Sequence, residues 1–151
     1  AHWVRGELQD RTPIRLILST PLVFYTVKEM VRLGTGGTCH VHHILGILGD
    51  NSMALCGIGR NVPELVYGKL GKDSLAKVWI EHPMLKELRA ELAGEYPGVC
   101  GRCIHAQRCL TVCVAQNYLD HGRLIFPASM CAAAQSNNWF PQSRMREHQF
   151  K

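Results

Sequence analysis

Cys100-Gly101-Arg102-Cys103-Ile104-His105-Ala106-Gln107-Arg108-Cys109-Leu110-Thr111-Val112-Cys113 is the stretch on which the reading of this chain turns. Four cysteines fall within these fourteen residues as C-x2-C-x5-C-x3-C, and Cys39, Cys56 and Cys131 flank them. A C-x2-C knuckle turns tightly enough to aim two thiolates at one metal centre, and zinc and iron–sulfur sites both use it. Seven is an odd number, so complete disulfide pairing would leave one thiol over. Arg5, Glu7, Asp10 and Arg11 occupy the N-terminus in place of an apolar signal core. A cytoplasmic, reducing setting is therefore expected, where clustered thiols read as metal ligands.

Ligand counting leaves the metal open. A structural zinc takes four ligands, so seven cysteines overfill one site and underfill two, and His40, His42, His43 or His105 could complete the second. Seven thiolates suit two iron–sulfur cubanes equally, one held by four cysteines and one by three plus a further ligand or an open iron. His105 also reads as a surface or supporting group, His82 as a helix-junction residue, and Trp79 as core. A cysteine–histidine hydrolase is disfavoured because every cysteine belongs to the ligand-spaced constellation.

Outward from the knuckle, residues 73–93 have helical patterning. Asp73 or Ser74 suits a cap for a helix with Leu75, Val78 and Trp79 inward; Pro83 suits the first turn of a second, with Leu85, Leu88 and Leu92 inward. Gly94 and Pro97-Gly98 end it. Residues 44–48 and 52–56 are short apolar segments about Gly49-Asp50-Asn51, which predicts a β-hairpin bringing Cys39 and Cys56 to one end. Gly34-Thr35-Gly36-Gly37-Thr38 lacks the Gly-Lys-Ser/Thr ending of a phosphate loop and serves as a lead-in to Cys39. Residues 14–18 predict a short strand, and residues 23–33 a helix with Val23, Val27, Met30 and Val31 inward. The tail after Cys131 is polar.

At 151 residues there is room for one domain, or a small domain with a piece of a neighbour. Hydrophobic residues at 46% and charged residues at 19% describe globular material. The charge of +5 is scattered and aromatics are only 7%, so a nucleic-acid partner is not expected. No apolar run approaches the roughly 18 residues of a membrane span, so no membrane partner is expected either.

The whole arrangement, Cys39-x16-Cys56, then the central four, then Cys131, resembles the seven-cysteine signature of the SPASM domain. That domain follows the radical SAM barrel in enzymes that mature peptides and proteins, and it carries auxiliary 4Fe–4S clusters. Gly49-Asp50 before the second cysteine, Ser74-Leu75 with Val78-Trp79, and Leu88-Arg89 before Cys100 also fit. The likeness spans about residues 37–135. Residues 1–33, with Pro21-Leu22-Val23-Phe24, resemble the end of the barrel. The resemblance implies one cluster on Cys100, Cys103, Cys109 and Cys131, and another on Cys39, Cys56 and Cys113. Some members place an eighth cysteine shortly after the first, where this chain has His42, His43 and Leu45. The family's Gly five residues before the second cysteine is here Asn51, with Gly49 two residues earlier. If residues 109–113 are helical, Cys109 and Cys113 share one face, and simple geometry assigns both to one centre where the resemblance divides them.

The C-x3-C-x2-C motif that binds S-adenosylmethionine is absent, because Gln116 stands where its third cysteine would be. The chain reads as a domain separated from its catalytic core, not active alone, with the parent barrel and a peptide or protein substrate as partners. Zinc could replace lost iron at such thiolates in air-exposed protein. The expected fold is α+β: a small metal-stapled domain over residues 34–135, with a β-hairpin, helices and the knuckle. A barrel remnant over residues 1–33 precedes it and a tail over residues 136–151 follows.

Overall fold

The computed structural model describes residues 3–14, 16, 18–33 and 39–146. They form a mixed fold of short helices and one three-stranded antiparallel sheet. The glycine-rich lead-in at 34–38 lies outside the described residues.

The chain opens with a π-helical turn, Val4–Leu8. The strand expected at 14–18 is not seen at Ile14, Leu16 or Leu18, while Arg15 and Ile17 lie outside the described residues. The Gln9 side chain takes over the hydrogen bonds a neighbouring strand would make: Nε2 donates to Ile14 O at 3.1 Å and Oε1 accepts from Leu16 N at 2.6 Å. The helix expected over 23–33 breaks in two. After Pro21, Leu22–Phe24 forms a single 3-10 turn, and Tyr25 is extended. The helix restarts as α1, Val27–Leu33, under a capping box in which Thr26 N donates to Glu29 Oε2 and Glu29 N donates to Thr26 Oγ1. That restart rotates the apolar stripe, so Val23 is buried while Val27 and Val31 face solvent.

The hairpin forms as expected. β1, Gly46–Ile47, pairs with β2, Ser52–Ala54, in the register Gly46↔Ala54 and Ile47↔Met53. Asn51 adopts a left-handed conformation (φ 67°) at its turn, and Asp50 Oδ1 accepts from Ser52 N at 3.0 Å. A third strand, β3, Val66–Lys69, joins the far side of β2. Then come α2, Leu75–Glu81, capped by Ser74, and α3, Pro83–Ala93, with Pro83 in its first turn. Val78, Leu85 and Leu88 are buried as expected, but Leu75 is half exposed.

Four further helices follow: α4, Val99–Arg102, holding Cys100 and ending at Cys103; α5, Ala106–Cys109; α6, Val114–His121, capped by Cys113; and α7, Ser129–Ser136, holding Cys131. Cys100, Cys103 and Cys131 belong to the same buried cluster as Met53, Leu55 and Leu88, so the core closes around the thiols. The polar tail is docked as far as Arg146. Phe140 is buried and meets Phe24 edge-on at 6.5 Å. Met145 bridges to Cys103, Ile104 N donates to Arg144 O, and Arg146 N donates to Arg102 O. No helix among the described residues is long and apolar enough to cross a membrane.

Candidate metal centre

The knuckle is shaped by two glycines. Gly98 (φ 56°, ψ −137°) starts α4 in a conformation that strongly favours glycine. At Gly101 a Cβ would stand 2.6 Å from the Tyr96 carbonyl oxygen, so no larger residue fits between Cys100 and Cys103 without moving the turn. Cys103 then leaves the helix in an extended conformation, and its Sγ accepts from His105 N at 3.4 Å. α5 carries the chain to Cys109 and ends there.

The next three residues overturn the helical reading of 109–113. Leu110, Thr111 and Val112 have φ of 50°, 57° and 76°, three successive left-handed residues with no glycine or asparagine among them. Cys113 follows in an extended conformation as the cap of α6, its Sγ accepting from Gln116 N at 3.5 Å. Cys109 and Cys113 are therefore not one helical turn apart on a shared face. Thr111 is fixed from both sides: its hydroxyl donates to Leu110 O at 2.7 Å and accepts from Asn117 Nδ2 at 2.7 Å. Asn117 also donates to Leu124 O at 3.2 Å. Asn117 was not among the sequence candidates, although a buried Asn inside a helix is itself a signal, since its side chain ordinarily competes with the helix backbone.

The thiols act on one another in two sets. Burial pushes Cys100 up to about 12, with the Cys109 and Cys103 thiols adding to the shift. Cys131 is also pushed up to about 12, first by burial and then by Cys100, Cys109 and Cys103. Burial raises Cys109, opposed by the Leu22, Val112 and Thr111 backbone amides and reinforced by Cys103. Burial raises Cys103 against the His105 and Ala106 amides and the Arg146 and Arg144 guanidiniums. Cys39 is raised by burial, opposed by the Val41 amide, with Cys113 and Cys56 contributing. All seven cysteines are free of disulfides.

Thiols interact within each set, yet among the described residues no three Cys, His, Asp or Glu side chains converge closely enough to hold one metal ion. Tetrahedral zinc, with Zn–S near 2.3 Å, needs sulfurs about 3.8 Å apart. The sequence also offered imidazoles as ligands. His40 is exposed, and the rings of His42 and His43 pack at 3.9 Å. His105 keeps a buried Nε2 with no partner, its pKa lowered by burial and by Arg144 and Arg108. Tyr67, which sequence reading passed over, has a buried, unpartnered hydroxyl raised by burial and then by Cys56, and its ring lies 4.6 Å from that of His82. Compared with protein-family models, curated proteins and solved structures, the chain matches none.

Proposed function

We propose that this chain is an auxiliary-cluster domain of a radical SAM maturase, binding two 4Fe–4S clusters. Cys100, Cys103, Cys109 and Cys131 hold one, and Cys39, Cys56 and Cys113 hold the other, which lacks one protein thiolate. What supports the reading is the order and spacing of seven disulfide-free cysteines, with Cys100, Cys103 and Cys131 buried in one core and the positive-φ residues Leu110, Thr111 and Val112 standing between Cys109 and Cys113. Such clusters supply one-electron transfer at potentials tuned by burial and by donors to sulfur. The chain's own residues provide that tuning: the His105 and Gln116 amides donate to Cys103 and Cys113, and the Leu22 amide serves Cys109. Because Leu22 lies in the N-terminal segment, that segment is part of the centre's shell and not a bystander. The barrel of the parent enzyme cleaves S-adenosylmethionine, and this domain passes electrons and positions a peptide or protein substrate in the cytoplasm.

Anaerobic reconstitution of the whole chain tests this by iron, acid-labile sulfide and the broad visible absorption of sulfide-to-iron charge transfer. Cys109→Ala and Cys131→Ala should each remove about half the iron, and together no more than either alone, since both serve one cluster. Cys109→Ala with Cys113→Ala should remove nearly all of it. The competing reading is a structural zinc module that binds a protein partner. Colourless protein that takes up only zinc after reconstitution would establish it instead.

A further inference from the structure

A groove of about 610 Å3 opens on the surface. Trp79, Leu92 and Leu110 supply its apolar lining, and Arg89, His42 and His43 most of its polar lining. Neither Asp nor Glu lines it. Arg89 is held rather than free to swing: its guanidinium carbon lies 4.7 Å from the Trp79 ring centroid, and Nη2 donates to Trp79 O at 2.6 Å. A guanidinium has five N–H donors, so this bond leaves the others available, and no carboxylate among the described residues pairs with them. His42 adds a buried Nδ1 with no partner. A fixed guanidinium and imidazoles set against an apolar wall complement a carboxylate that has an apolar neighbour.

We infer that this groove binds an acidic peptide segment, a carboxylate resting on Arg89 and an apolar side chain on Trp79, Leu92 and Leu110. His42 and His43 follow Cys39 in sequence, and Leu110 lies between Cys109 and Cys113, so the bound segment runs beside chain that carries both thiol sets. The choice of a peptide as occupant rests on the maturase reading above; the preference for negative charge rests on the lining alone.

The test is calorimetric titration of the whole reconstituted chain with an acetylated, amidated peptide of alternating Glu and Leu, and with its Gln-for-Glu twin. At low salt the acidic peptide should bind about tenfold tighter, in line with hydrogen bonds to a charged group. Arg89→Gln should abolish that preference. Should this variant unfold for want of the Trp79 contact, Gln107→Glu decides, because it places a carboxylate at an exposed groove position and leaves Arg89 and Trp79 in place. Equal affinity for the two peptides, or a preference untouched by Gln107→Glu, would overturn the inference. So would binding confined to a Glu-free peptide with a free C-terminal carboxylate. Iron and sulfide measured on the same samples separate the two readings. Full iron without charge preference removes the groove alone; charge preference in sulfide-free protein supports the groove and removes the cluster reading.

Discussion

Asn117 tests whether the turn between Cys109 and Cys113 is what places these two thiols for the proposed clusters. Asn117→Leu preserves most of the volume and removes both donations of the amide, to Thr111 Oγ1 at 2.7 Å and to Leu124 O at 3.2 Å. Asn117, Thr111 and Leu124 are all buried, so water cannot replace what is lost. The Thr111 hydroxyl keeps its own donation to Leu110 O, which limits the damage on that side to about 1 kcal/mol. The Leu124 carbonyl loses its side-chain donor inside the core, at about 1–2 kcal/mol more. A total of about 2–3 kcal/mol corresponds to a melting temperature lower by roughly 5–10 °C for a chain of this size. The second readout is iron. If Leu110, Thr111 and Val112 relax towards a right-handed helix, Cys109 and Cys113 come onto one face and at least one of the proposed clusters loses a ligand. Thermal unfolding of the metal-free chain and iron content of the reconstituted chain should therefore both fall. A variant that melts lower but keeps full iron would show that Asn117 stabilises the fold without positioning the thiols. One that melts with the parent chain would refute the reasoning entirely.

Gly101→Ala places a methyl 2.6 Å from the Tyr96 carbonyl and should cost about 1–3 kcal/mol, with iron lost from the four-cysteine cluster. Gly57→Ala, beside Cys56 with nothing within 4 Å of the new methyl, should leave melting and iron unchanged. Tyr67→Phe removes a buried hydroxyl without a partner, so the metal-free chain should gain about 1 kcal/mol in denaturant unfolding; a loss would mean the hydroxyl is satisfied. The pH dependence of the metal-free chain follows from Cys100 and Cys131, which burial holds protonated up to about 12. Unfolded thiols ionise near their ordinary value, about 8.5. The stabilisation from these two is thus whole below that value and lost as the pH rises from there towards 12. Melting temperature should fall across that window, and a flat profile would show that the thiols are not buried as described.

Much of the scaffold could be read from residue order because it rests on local chemistry. Gly49-Asp50-Asn51 specifies a hairpin turn through Asn51's tolerance of positive φ and the Asp50 side chain's bond to Ser52 N. Ser74 and Pro83 mark the starts of α2 and α3 for equally local reasons. What could not be read depends on groups distant in sequence or on a single rotation. Within the apolar run at 14–18, Ile14 O and Leu16 N are engaged by the Gln9 side chain and not by a strand. The helix at 23–33 is interrupted where Tyr25 turns away, its hydroxyl donating to Leu18 O and its carbonyl accepting from Arg144 Nη2 across 119 residues. β3 contains Gly68, a residue that weakens a strand signal, and it is recruited by pairing with β2. The tail reads as polar, yet Phe140 and Met145 anchor it to Phe24 and Cys103.

The cysteine order was legible from spacing, but spacing left open whether Cys109 and Cys113 share a helical face, and only the resemblance divides them. Spacing alone permits Cys109 and Cys113 to share a helical face, and that is the cheaper backbone. Leu110, Thr111 and Val112 instead take left-handed conformations at about 1–2 kcal/mol each, without the glycine that would relieve the cost. Such backbone persists only where its surroundings over-determine it. Here Leu110 and Thr111 are buried, Asn117 clamps Thr111, and the Thr111 and Val112 amides lower Cys109 against its burial. Donors aimed at a neutral thiol gain little; aimed at a thiolate they form charge-assisted bonds of roughly twice the strength. The strained turn is thus best offset when Cys109 is ionised, which is the state a metal ligand requires. On the proposed reading, the same turn that stands between Cys109 and Cys113 also aims the Thr111 and Val112 amides at Cys109, where they favour the thiolate a metal ligand needs.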